Sequence, residues 1–192
     1  MSKVVCIGWN KTGSASLAEM LRVLGYRVTQ KPWNGKGKDL PPLDADYIPK
    51  RVMPLLEQYD AFHDYPWNFW FPLVDRLYPG SKFIYTYRKS PGAWLASASA
   101  FYGQSHPINE YLYNGHGLPR DRFAKRIWKA RYVQHHEFVK AYFSRRNSDL
   151  LKINIDAGEL TWESVCSFLS KEVPDAPIPH LNKRKDAKQP KT

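Results

Sequence analysis

The chain alternates short apolar runs with segments in which apolar residues recur every three or four positions. Lys3-Val4-Val5-Cys6-Ile7-Gly8 is a β-branched run closed by glycine, the pattern of a buried strand. Leu17, Met20, Leu21 and Leu24 follow at i, i+3, i+4 and i+7 and predict a helix, with Ser14 or Ser16 expected to cap its start and Gly25 to end it. Tyr26-Arg27-Val28 is a second candidate strand, and Lys31 to Pro42, rich in Gly, Lys and Pro, reads as a loop. A helix is expected around Ile48 to Gln58, then a third strand at Asp60-Ala61-Phe62-His63, then an aromatic helix from about Trp67 to Leu77. Lys82 to Tyr87 is the plainest strand of the chain, and Pro91 opens a further helix. Gly103 to Pro119 reads as an irregular surface segment. Arg120 to Arg146 predicts one long helix, with Phe123, Ile127, Ala130, Val133, Phe138 and Tyr142 on or near one face. Leu150 to Ile155 is a fifth strand and Trp162 to Leu169 a last helix.

Strands alternating with helices predict an α/β domain whose central, mostly parallel sheet of about five strands is flanked by helices. At 192 residues the chain fits one domain, expected over residues 1–182, with a basic tail at 183–192. A chain of this length buries roughly 70% of its unfolded surface and needs no disulfide or metal staple. Cys6 and Cys166 both lie in apolar patterns and read as small buried hydrophobes of a reducing compartment. No metal-ligand spacing is present, the N-terminal apolar run is too short for a signal sequence, and no stretch reaches the roughly 20 apolar residues of a membrane span. These features predict a cytoplasmic protein without a resident metal. The net charge of +11, of which the tail carries four Lys and one Arg against one Asp, calls for an anionic partner.

In open parallel sheets ligands bind beyond the carboxyl ends of the strands, which directs attention past Ile7, His63 and Tyr87. Past Ile7 lies Gly8-Trp9-Asn10-Lys11-Thr12-Gly13-Ser14-Ala15-Ser16, a loop that opens a helix. Consecutive N–H groups backed by a helix dipole make an anion seat there. Gly8 and Gly13 have the glycine spacing of a nucleoside-triphosphate loop. Ser14 stands where that loop carries Lys, and Ala15 where it carries the Mg²⁺-binding hydroxyl, so both groups that handle a γ-phosphate are missing. A lysine appears earlier instead, at Lys11. Past Tyr87, Arg88 ends a strand where a guanidinium can clamp a phosphate, and Ser97 lies about two turns into the next helix, able to add a hydroxyl. Past the third strand stand His63 and Asp64, either able to act as a general base. Asp64 could also cap the helix beginning near Trp67.

Lys11-Thr12-Gly13-Ser14 with Ser16 and Leu17 resembles the 5′-phosphosulfate loop of sulfotransferases that use 3′-phosphoadenosine 5′-phosphosulfate (PAPS). This chain has Asn10 for the usual Pro, Ser14 for Thr and Ala15 for the following hydroxyl residue. Leu77 to Ser97 is similar to that family's 3′-phosphate motif, with Pro91, Trp94 and Ser97 one position further from Arg88 than usual, so that Ser97 takes the serine role and Ser99 is the alternative. Tyr142 to Trp162 with Phe168-Leu169 resembles the closing strand and helix, and Ile178-Pro179-His180-Leu181-Asn182 the final P-x-x-N element. The resemblance implies a three-layer P-loop-type fold and sulfuryl transfer from PAPS to a hydroxyl or amine, without a metal, giving adenosine 3′,5′-bisphosphate. It implies that Thr12, Gly13, Ser14, Ala15 and Ser16 hold the 5′-phosphate, Lys11 stabilises the leaving oxygen, and Arg88 and Ser97 bind the 3′-phosphate with help from the basic segment at Lys183 and Arg184. The family's base stands two residues before a Pro, which matches Asp64 ahead of Pro66 and leaves His63 second. The implied acceptor is a small molecule, a sugar or a peptide, and its pocket is expected along Trp67 to Phe71 and Phe101 to His116. Two other readings stand beside this one: a small-molecule kinase sharing the glycine spacing, and a nucleic-acid-binding protein using Arg122, Lys125, Arg126, Lys129 and Arg131. No recognition motif accompanies those cations, and a solvated face explains them as well.

Overall fold

A computed structural model describes residues 2–30, 51–101 and 122–181. Five strands, β1 (Val4–Cys6), β2 (Val28–Thr29), β3 (Ala61–His63), β4 (Lys82–Tyr87) and β5 (Leu150–Asn154), form one sheet in the order β2-β3-β1-β4-β5. Every pairing is parallel, with Val5 opposite Phe62 on one side and Phe83 on the other. The helices are α1 (Ser14–Val23), α2 (Met53–Gln58), α3 (Trp67–Leu77), α4 (Pro91–Phe101), α5 (Arg122–Tyr142) and α6 (Trp162–Leu169).

Side-chain alternation along the strands divides the core into two layers. Val5, Ile7, Phe62, Phe83 and Tyr85 face α2, α3 and α5, where they pack against Leu56, Trp67, Phe71, Val74, Val139 and Phe143. Val4, Cys6, Ala61, Ile84 and Ile153 face α1 and α6, against Leu17, Met20, Leu21, Trp162, Val165 and Cys166. Each fully buried large apolar side chain contributes about 1.5–3 kcal/mol, so both layers hold the sheet from which the site loops project. The two cysteines are free and buried, as their apolar settings predict.

Two expectations are corrected. The N-cap of α1 is Gly13, without a side-chain cap; Ser14 and Ser16 lie inside the first turn instead. On α5 the buried stripe is Ala124, Trp128, Tyr132, His135 and Val139. Phe123 is 61% exposed, and Ile127, Val133 and Phe138 are exposed too. The buried stripe wins because its large rings bury more area, and two of their polar tips meet main chain of the sheet layer below: the Tyr132 hydroxyl accepts the Arg88 N–H and the His135 Nε2–H donates to Ile7 O.

Candidate active site

The loop after β1 leaves the sheet where the Ile7 N–H pairs with the Ile84 carbonyl at 2.9 Å. A Cβ on Gly8 would stand 2.1 Å from Thr86 Oγ1 and 2.7 Å from the Thr86 carbonyl oxygen, so only glycine lets the loop lie this close to β4. Lys11 (φ 63°) and Gly13 (φ 91°) are both left-handed and curl the chain into the start of α1.

Four carbonyls of this stretch are held by side chains, three of them from outside the loop. The His135 Nε2–H donates to Ile7 O at 2.7 Å, the Thr12 hydroxyl to Trp9 O, Trp94 Nε1–H to Asn10 O at 2.8 Å, and Arg88 Nε–H to Lys11 O at 3.2 Å. The Thr12 Oγ1 is also 2.9 Å from Thr86 Oγ1, which turns that hydroxyl inward. None of the N–H groups from Lys11 to Ser16 meets an acceptor among the described residues. With the carbonyls tied back and the amides free, the loop is polarised as an anion seat.

Two charged side chains converge on this loop. Lys11 is half-buried, and its Nζ lies 3.1 Å from the centre of the Phe101 ring. Burial lowers the Lys11 pKa, Asp64 raises it and Arg88 lowers it further, with a net fall. Asp64, just past β3, is also left-handed (φ 64°), and its Oδ1 accepts the Tyr65 N–H at 2.9 Å. Burial pushes its carboxyl up, against the Tyr65 hydrogen bond and the Lys11 charge. Its side chain does not cap α3; the Trp67 and Asn68 N–H groups go to the Asp64 main-chain carbonyl at 2.8 and 3.3 Å. His63 instead pairs in register with Cys6 and is buried, its Nδ1 without a partner. Burial, aided by the Arg22 charge, depresses its pKa to about 4.

At the end of β4 the Arg88 guanidinium donates from Nη2 to Ser97 Oγ at 3.2 Å and from Nη1 to Asp156 Oδ1 at 2.6 Å. Ser97, rather than Ser99, therefore meets Arg88. The Arg88 N–H donates to the Tyr132 hydroxyl at 3.0 Å, and the Tyr132 ring stacks on Trp94 with centroids 4.8 Å apart. Asp156 also accepts the Lys89 N–H at 2.9 Å. Sequence reasoning missed Asp156 and His135. Their partners lie 68 and 128 positions away, so no local pattern announces them.

A family model described as a sulfotransferase domain matches residues 3–187, from ahead of β1 to beyond Leu181. The chain belongs to the sulfotransferase family. None of the curated proteins matches it. Membership makes it a transferase of sulfuryl groups and favours that chemistry over the kinase and nucleic-acid readings. In this sulfotransferase Ser16 Oγ accepts the Leu181 N–H at 3.0 Å, which ties the last described residue to the first turn of α1. Lys183 and Arg184 lie outside the described residues, as does the stretch from Tyr102 to His116 expected beside the acceptor. Trp67, Trp70 and Phe71 are core residues rather than pocket lining, because α3 turns that face onto the sheet. Phe69 alone of Trp67 to Phe71 is exposed, at 38%, with its ring edge-on to Trp9 and Tyr65. Among the described residues no group of three His, Cys, Asp or Glu side chains is placed to hold a metal, and no helix is long and apolar enough to cross a membrane.

Proposed function

We propose that the enzyme moves a sulfuryl group from PAPS to a hydroxyl or amine of a small-molecule, sugar or peptide acceptor by in-line displacement. The observation that carries this is the polarised loop, with four carbonyls tied outward and the N–H groups from Lys11 to Ser16 left open. Its donors and the α1 dipole suit the 5′ end of the donor, while Arg88 and Ser97, already within 3.2 Å of each other, suit a 3′-phosphate. Lys183 and Arg184, which the family resemblance assigns to that phosphate, lie outside the described residues. Bound PAPS would supply an activated sulfur whose bond to the bridging oxygen breaks as the bond to the acceptor oxygen or nitrogen forms.

The chain's own groups orient and neutralise. The amides of Thr12, Gly13, Ser14, Ala15 and Ser16 hold the 5′-phosphate, and Lys11 Nζ swings from Phe101 to face charge developing on the leaving oxygen. Asp64 takes the acceptor proton on Oδ2, since Oδ1 is engaged by the Tyr65 N–H. Its upward-shifted pKa strengthens it as a base. His63 is the weaker candidate, buried and with a pKa depressed to about 4. Ser14 and Ala15 leave no lysine or hydroxyl for a magnesium-bound triphosphate, which disfavours ATP as donor.

Calorimetry in EDTA with adenosine 3′,5′-bisphosphate, ATP and a short DNA duplex tests the reading. Clear binding of the bisphosphate, weak binding of ATP, and duplex binding that disappears with added salt are expected. Tight ATP binding, or salt-resistant duplex binding without bisphosphate binding, overturns it.

A further inference from the structure

We infer that Asp156 is a positioning residue that aims Arg88 at a 3′-phosphate and so sets the preference of the site for a bisphosphorylated adenosine over a 5′-monophosphate. The inference deepens the sulfotransferase reading above and rests on it.

Arg88 is a long side chain at a strand end, with many rotamers open to it. Three acceptors from three parts of the chain fix it: Lys11 O on Nε, Ser97 Oγ on Nη2 and Asp156 Oδ1 on Nη1. Asp156 is the charged one of the three and makes the shortest contact, 2.6 Å, with both side chains partly buried. It is itself held. Its Oδ2 takes the Lys89 N–H at 2.9 Å, and its own N–H donates to Asn154 Oδ1 at 3.1 Å. Burial opposes its ionisation, but the bonds from Lys89 and Arg88 outweigh that and keep its pKa below the usual carboxylate value.

The turn carrying Asp156, Ile155–Ala157, also closes on the anion loop. A Cβ on Gly13 would lie 3.3 Å from Ile155 Cγ2. One short turn thus borders the proposed 5′ seat through Ile155 and the proposed 3′ seat through Asp156. A guanidinium has five N–H donors. Three are engaged here, leaving one on each terminal nitrogen. Ser97 Oγ accepts from Arg88, so its own proton remains to be donated. Two N–H groups and one O–H from neighbouring side chains match the oxygens of a phosphate monoester. Their aim depends on the Asp156 anchor.

The full-length chain and its Asp156→Ala, Asp156→Asn and Arg88→Ala variants are titrated calorimetrically with adenosine 3′,5′-bisphosphate and with adenosine 5′-monophosphate, and melting is recorded for each. Loss of a charge-assisted anchor should cut bisphosphate affinity about tenfold in Asp156→Ala while monophosphate affinity stays within about twofold. Asp156→Asn, which keeps one acceptor oxygen, should fall between it and the native chain. An unchanged or increased ratio of the two affinities in both Asp156 variants overturns the inference, as does an equal loss for both ligands. A native chain that binds the two nucleotides alike, with Arg88→Ala no different, overturns the donor reading itself.

Discussion

Two buried imidazoles should make this fold sensitive to mild acid. His63 at the end of β3 and His135 on α5 each have a pKa depressed from 6.5 to about 4, mainly by burial. The Arg22 charge adds to the effect at His63; at His135 the neighbouring His136 adds to it and the bond to Ile7 O partly opposes it. In the unfolded chain both take up protons below pH 6.5, whereas in the folded chain they do so only near pH 4. Stability is therefore fully present above the unfolded value and falls as pH drops through that window. Between pH 7 and pH 5 each histidine costs about 2 kcal/mol, about 4 kcal/mol together, a large share of the 5–15 kcal/mol typical of a domain. Asp60, held near 2 by Arg27, loses its contribution only below its ordinary value of 3.8, and Asp64, shifted up, opposes the trend. Urea unfolding at pH 7 and pH 5, on the native chain and on His63→Gln, His135→Gln and the double variant, measures the effect. Each single variant should remove about half of the acid loss attributed to the pair. A double variant that loses as much stability as the native chain over that interval refutes the reasoning.

Three further outcomes follow from the site. Lys11→Ala should lower turnover about 10²- to 10³-fold while keeping part of its affinity for adenosine 3′,5′-bisphosphate, because the loop amides remain; normal turnover removes Lys11 from the reaction. The pH profile of kcat/KM should be a bell, rising through the upward-shifted pKa of Asp64 and falling through the lowered pKa of Lys11. Asp64→Asn should erase the acid limb and cost about 10²- to 10⁴-fold in turnover, and an acid limb that survives it puts the base elsewhere. Gly8→Ala should cost about 1–3 kcal/mol in a melting experiment and weaken nucleotide binding, since its methyl group meets Thr86 Oγ1 and main chain; an unaffected loop contradicts the close approach.

What the sequence makes legible here is local. Lys82–Tyr87 and Trp162–Leu169 are read to the residue, because a β-rich run and an amphipathic period each declare themselves within a few positions. The parallel sheet follows from the alternation of such segments, and strand-end logic singles out Arg88, Ser97, Lys11 and Asp64, of which Arg88 meets Ser97 and the Lys11 carbonyl. The face of α5 is misread because burial there is decided by what Trp128, Tyr132 and His135 meet across the fold, not by their hydropathy. Asp156 is invisible for a related reason. Its contact with Arg88 comes from β5 lying beside β4, which sets Ile84 opposite Leu151 and brings the ends of both strands together.

The same distinction explains why departures from the family loop at Ser14 and Ala15 need not disable it. The usual hydroxyls are side-chain donors added to a seat whose main donors are amides. What those amides require is that the peptide planes stay turned, and that is enforced from behind: by His135 on Ile7, by Thr12 on Trp9, by Trp94 on Asn10 and by Arg88 on Lys11. Three of these clamps come from α5, α4 and the end of β4, elements far apart in sequence. The peptide planes of the loop motif are thus held by one of its own side chains and by three from other elements. A substitution at Trp94 or His135 should damage anion binding more than one at Ala15, even though neither residue belongs to the motif.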